Sequence, residues 1–129
     1  GKYDYDYPDG EGKSNPLLMY SLGHKFKTPS IHASGLRYHA VSPIVSYFVN
    51  NKRIAAIAIN EEAAMRSAIT LAQVESIVVS PESSYTIKAV MDQAQINNGQ
   101  KKVIVAIITG NGHLDLAAYN LFLDRKGVI

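Results

Sequence analysis

At 129 residues, with 47% hydrophobic and 19% charged side chains and a net charge of +2, the chain has the size and balance of one globular domain, not of a disordered or fibrous polymer. No stretch approaches the ~20 apolar residues of a membrane span, no leader-like segment opens the chain, and no Lys/Arg stripe or RNP-like motif supports nucleic-acid binding. The absence of cysteine excludes disulfide and thiolate chemistry and suits a cytoplasmic protein, while a start at Gly1 without Met reads as a processed product or a piece of something longer.

Residues 1 to 15, GKYDYDYPDGEGKSN, lack apolar periodicity and carry the turn signal Pro8-Asp9-Gly10, so they read as a loop or arm whose tyrosines pack against a neighbouring surface. Asp4, Asp6 and Asp9 invite a calcium reading, but an EF-hand loop would need a carboxylate or amide at Pro8, Gly at Asp9 and Glu at Asn15. Residues 16 to 42 are irregular, punctuated by Gly23, Pro29 and Gly35, and hold His24, His32 and His39, as a site-forming connection would. Their spacing, without a carboxylate cluster beside them, makes no metal triad; hydrogen-bonded or exposed imidazoles are expected.

Regular patterning begins at Ser42-Pro43, a cap followed by Pro at the first helical position, with Ile44, Val45, Phe48 and Val49 on one face of a helix to about Asn51. Ile54 to Ile59 reads as a buried strand. Asn60 caps a second helix, with Glu61 and Glu62 where the dipole favours acids and Ala64, Met65, Ala68, Ile69, Leu71 and Ala72 on its buried side. Ile77-Val78-Val79 is a short strand. Ser80-Pro81-Glu82 repeats the cap-then-Pro start of a helix carrying Ile87, Val90, Met91 and Ala94, which stops near Asn97-Asn98-Gly99. Val103 to Ile108, six apolar and mostly β-branched residues, reads as a central strand buried on both faces, and a last helix runs from about Leu114 to Arg125, with Gly127 beyond it.

Strand and helix thus alternate from residue 54, predicting an α/β fold with a partial parallel sheet and flanking helices, a three-layer α/β/α remnant. Residues 1–42 form an irregular arm and connection, and residues 43–129 the α/β part of a larger domain, because three strands do not complete a sheet. Uncovered sheet edges and helix faces predict a homo-oligomer or a poorly soluble monomer. Thr109-Gly110-Asn111-Gly112-His113 gathers a hydroxyl and backbone N–H groups at the end of the central strand, where open α/β sheets bind ligands; the same residues also suit an ordinary βα loop.

Particular runs carry a more specific signal: GKYDYDYPD at the start, YSLGHKFKTPSIHASGLRYHAVSP (20 to 43), VVSPESSYTIKAV (78 to 90) and VIVAIITGNGHLDLAAY (103 to 119). In order and spacing the chain resembles the carboxy-terminal part of the tryptophan synthase β-chain, in its second, divergent branch. The resemblance implies a fold-type II enzyme using pyridoxal 5'-phosphate, in which L-serine undergoes β-replacement by indole to give L-tryptophan. Thr109 then stands where the family places a hydroxyl at the pyridine nitrogen, Glu82 matches a glutamate near the ring, and Gly110, Asn111 and Gly112 form the loop beneath it. The backbone carbonyls of Tyr38 and Ala40 fall at the family's monovalent-cation site. A neutral hydroxyl at the pyridine nitrogen suits β-replacement, the kind of electronic tuning a protein supplies to a cofactor.

Other positions depart from the pattern. Arg37 stands where the commonest β-chains have aspartate, and Asn111 where the divergent branch has histidine; His113 is assigned no catalytic role. Glu82 can equally be a first-turn carboxylate stabilising its own helix. The family's Schiff-base lysine, phosphate-binding loop and assisting acid belong to upstream segments, and Lys25 is not that lysine. The chain is therefore expected to be inactive alone and to need the amino-terminal part of its parent as partner; the alternative is a free-standing α/β binding or interaction module.

Overall fold

The computed structural model of the chain describes residues 1–125; Gly127 lies outside the described residues. The fold is mixed α/β: strands β1 (Lys2–Asp6) and β2 (Leu17–Ser21), a 3-10 turn (Ser34–Leu36), helices α1 (Pro43–Asn50), α2 (Glu61–Glu75) and α3 (Pro81–Ile96), a second 3-10 turn (Gly112–Asp115) and helix α4 (Leu116–Arg125). Two compact units divide it, residues 1–30 with 37–58, and residues 31–36 with 59 onward.

In the first unit, β1 and β2 pair antiparallel, with Tyr3 opposite Tyr20 and Asp4 opposite Met19. The segment expected as a loop or arm is thus a hairpin. KYDYD alternates tyrosine with charge, a period-2 pattern that the depletion of aspartate in strands disguises. Tyr3 meets Tyr20 with ring centroids 5.1 Å apart, and Met19 is the buried residue of β2. The connection is organised by Asp9, whose carboxylate accepts the N–H groups of Glu11 at 2.9 Å, Gly12 at 2.5 Å and Ser14 at 2.6 Å.

Helix α1 starts as its sequence predicts, with Ser42 accepting the Val45 N–H. Its buried residue, however, is Ser46, which accepts the Tyr20 N–H at 3.0 Å and donates to the Val41 carbonyl at 3.1 Å. Ile44, Val45 and Phe48, which share one face of the helix as its sequence predicts, are exposed.

In the second unit α2 packs on α3 around Met65, Ala68, Val79, Ile87, Tyr119 and Phe122, with Ile69, Leu71, Val78 and Met91 against them. Asn60 caps α2 through the Glu62 N–H and Ser80 caps α3 through the Ser83 N–H. The parallel sheet is not formed among the described residues. Residues 54–59 and 103–108 take no regular secondary structure, and residues 77–79 contribute a single antiparallel bridge, Val79 with Asn111. Apolar, β-branched composition makes a segment fit for a strand, but the strand exists only where a second one supplies its ladder. Without that partner Val103 is 91% and Val105 83% exposed.

Candidate functional site

The second unit holds the loop singled out by its glycines. Ser80 donates its N–H to the Gly110 carbonyl and Gly112 donates its N–H to the Val78 carbonyl, both at 3.0 Å, so residues 78–80 and 110–112 are clasped across the Val79–Asn111 bridge. The glycines serve this close approach. A Cβ at Gly112 would run into the Val79 carbonyl oxygen, and one at Gly110 into the Ser80 hydroxyl. Tyr119, buried in α4, donates its hydroxyl to the same Val79 carbonyl at 2.7 Å. Burial, followed by the charges of Asp115 and Glu82, pushes its pKa up to about 12, so the phenol stays a donor.

Beside the clasp lies an open groove of about 350 Å³ lined by Ile77, Val78, Val79, Ile108, Thr109, Gly110 and Asn111. Thr109, Gly110 and Asn111 are thus brought together on one apolar-walled surface, while Gly112 is buried behind them. The Thr109 hydroxyl has no hydrogen-bond partner among the described residues. Asn111 caps the 3-10 turn, its Oδ1 accepting the His113 N–H at 2.8 Å, and the His113 imidazole Nδ1 lies 2.6 Å from the same oxygen. Leu114 follows, fully turned to solvent.

Glu82 is not a groove residue. It sits in the first turn of α3, and its Oε1 accepts the Gly35 N–H at 2.7 Å. Glu61 does the same at the start of α2, accepting the His32 N–H at 2.5 Å with the imidazole Nδ1 3.2 Å away. The two helix starts therefore hold residues 31–36 through a pair of carboxylates, with Ala33 buried between the tied positions. His32 presents its ring edge-on to Phe122, centroids 6.1 Å apart. Tyr85 has its pKa raised by burial and then by Glu61 and Glu82.

Sequence reasoning read Glu61 as a dipole partner and Ser80 as a cap, and overlooked both this pairing and the buried side chains of Ser83 and Ser84. The usable signal was Ser-Pro-Glu-Ser-Ser at a helix start, where small hydroxyls satisfy the free N–H groups of the first turn.

In the first unit His24 Nδ1 lies 2.8 Å from Asp6 Oδ1 and His39 Nε2 2.9 Å from the Tyr7 carbonyl. The Ser21 hydroxyl also donates to Asp6. Residues 39 and 41 pair with β2, through the Leu22 N–H to the His39 carbonyl and the Val41 N–H to the Tyr20 carbonyl. The carbonyls of Tyr38 and Ala40 accept no hydrogen bond among the described residues. There too, no three His, Asp or Glu side chains converge as a metal site, and no helix is long and apolar enough to cross a membrane.

No family model matches the chain. Its sequence is 40% identical over 128 residues to the tryptophan synthase beta chain 2 of Pyrococcus abyssi, a match covering 98% of this chain and 29% of that protein. The tryptophan synthase beta chain 2 of Aquifex aeolicus is 41% identical over 128 residues, with 98% and 30% covered, and the tryptophan synthase beta chain of Pyrococcus horikoshii 38% identical, with 98% and 28% covered. The chain spans about three-tenths of the length of these curated relatives. In sequence the chain is therefore similar to tryptophan synthase β-chains, matching a C-terminal stretch of that family.

Proposed function

We propose that this chain supplies part of the cofactor site of a tryptophan synthase β-like enzyme dependent on pyridoxal 5'-phosphate, and that without the remainder of such an enzyme it is inactive. The observation that carries the reading is the placement of Thr109, Gly110 and Asn111 along one groove walled by Val78 and Ile108, with the Thr109 hydroxyl unengaged. A flat heteroaromatic ring fits such a surface, because apolar walls take its faces and a single hydroxyl orients its nitrogen.

When bound, the cofactor supplies the electron withdrawal that labilises bonds at the amino-acid substrate's Cα. This chain's residues do simpler work. Thr109 offers a neutral hydrogen-bond partner to the pyridine nitrogen and so leaves it without a full positive charge. The Val78–Gly112 and Ser80–Gly110 hydrogen bonds hold the loop's backbone against α3. Glu82 acts as a positioning residue, fixing Gly35 and the segment 31–36 at the helix start. The Tyr38 and Ala40 carbonyls are proposed to take a monovalent cation, for which unpaired carbonyl oxygens are suitable hard ligands. L-serine and indole are the proposed substrates of the whole enzyme. In this reading residues 54–59, 77–79 and 103–108 become strands of its parallel sheet when neighbouring strands pair with them, as their apolar runs require.

The test supplies the preceding part of the Pyrococcus abyssi relative as a separate chain and follows absorbance of bound pyridoxal 5'-phosphate and tryptophan formation. Both are expected only in the mixture. Thr109→Ser should retain cofactor binding and Thr109→Val weaken it about tenfold, the worth of one hydrogen bond in a site closed to water. A mixture that binds no cofactor, or a Thr109→Val mixture that binds it as tightly as the original, rejects the assignment.

A further inference from the structure

The sequence contains two Asn-Gly pairs, Asn98-Gly99 and Asn111-Gly112, and the fold treats their reactive atoms in opposite ways. We propose that Asn98 is a site of spontaneous deamidation and that the pairing of Gly112 with Val78 protects Asn111 from the same reaction. In that reaction the backbone nitrogen of the glycine attacks the asparagine Cγ. The N–Cγ bond forms as the peptide nitrogen gives up its proton, the Cγ–Nδ2 bond breaks, and the amide leaves with a proton as ammonia. Water then adds to either carbonyl of the five-membered imide, leaving aspartate or isoaspartate. Water is the only co-reactant, and nothing is oxidised or reduced.

At Asn98 nothing stands in the way. It is exposed, one residue past the C-cap of α3, and its side chain makes no hydrogen bond among the described residues. Among the described residues Gly99, with φ +81°, has nothing but its own chain neighbours within 4 Å of where a Cβ would lie, and its N–H has no acceptor. The nucleophile and the carbonyl carbon are both free to meet. Asn97, one residue earlier, is held instead, its amide donating to the Gln93 carbonyl at 2.7 Å and accepting from Lys102 at 2.6 Å.

At Asn111 both partners are engaged. The Gly112 N–H donates to the Val78 carbonyl at 3.0 Å, Gly112 is buried, and Asn111 Oδ1 caps the His113 N–H at 2.8 Å. Attack requires the clasp to open first, so the rate at Asn111 is scaled by the small population of the opened form. The consequences also differ. Aspartate or isoaspartate at position 98 adds a negative charge at the C-terminal end of α3, where the helix dipole disfavours it and the neighbouring Lys101 and Lys102 offset it. At position 111 it would place a carboxylate in the groove beside Thr109.

The test incubates the full chain at mildly alkaline pH and follows amide-to-acid conversion at each asparagine by peptide mapping, with and without urea. In the folded chain Asn98 should convert at least about tenfold faster than Asn111, since an opening cost of only ~1.4 kcal/mol suffices for that ratio. In urea the two rates should approach each other. Equal rates in the folded chain, no conversion at Asn98, or a ratio that persists unchanged in urea would each overturn the proposal.

Discussion

Asp6 illustrates how one side chain can hold a strand pair together. Hydrogen bonds from the Ser21 hydroxyl first, and from His24, lower its pKa from 3.8 to about 2. A carboxyl whose folded pKa lies below its unfolded value contributes stability that is complete above about 3.8 and is lost as pH falls through about 2. The β1–β2 pairing should therefore loosen across that window, seen as loss of amide protection in β1 and β2. Asp6→Asn should abolish this acid-dependent step. A step of unchanged size in the variant would assign it to Asp9, whose carboxyl is also held well below the usual range, chiefly by Ser14 and then by the backbone N–H groups of its loop. Neither interaction was visible in the sequence. The partners of Asp6 lie fifteen and eighteen positions away, a separation that only the hairpin register closes.

At the scale of elements, the clasp between residues 78–80 and 110–112 joins the start of α3 to the turn before α4. Its two glycines are not equivalent. Gly110→Ala meets the Ser80 hydroxyl, which can rotate away only by giving up its cap on α3, and the Ser80 Cβ, whereas Gly112→Ala meets a backbone carbonyl already engaged by Tyr119. Overpacking a closed site costs about 1–3 kcal/mol. Gly112→Ala is expected at the upper end of that range and Gly110→Ala at the lower, measured as a shift of the urea midpoint with an unchanged slope. Equal midpoints for the two variants would contradict the geometry. Helices were legible in the sequence because their signals are local: Ser42-Pro43, Asn60-Glu61-Glu62 and Ser80-Pro81-Glu82 start α1, α2 and α3 as expected. For Leu114 the same reasoning placed the helix start slightly early, since residues 112–115 wind as a 3-10 turn before α4. The apolar stripe of α1 was legible but its exposure was not, because amphipathicity gives a buried face only where something is present to cover it.

Across the whole molecule, the apolar surface left open on residues 103–108 is the dominant feature. Val103, Val105 and Ile107 are each at least 75% exposed in a segment with no ladder partner among the described residues. Unpaired, β-branched backbone is a template for a further strand. The chain should therefore self-associate in a concentration-dependent way by light scattering, and Val105→Lys should shift that association to higher concentration; a monodisperse monomer at all concentrations would count against it. The sequence by itself determined the resemblance to tryptophan synthase β-chains, the starts of three helices and the loop on which the candidate site rests, because caps, turn residues and a matched run of motifs are written within a few residues of one another. Tertiary structure alone decided that Glu82 and Glu61 tie down residues 31–36, that Gly110 and Gly112 serve a backbone clasp, and that residues 54–59 and 103–108 form no ladder among the described residues. Each of those outcomes depends on what a distant segment brings alongside, and hydrogen-bond and ladder partners of that kind leave no mark at the position that needs them.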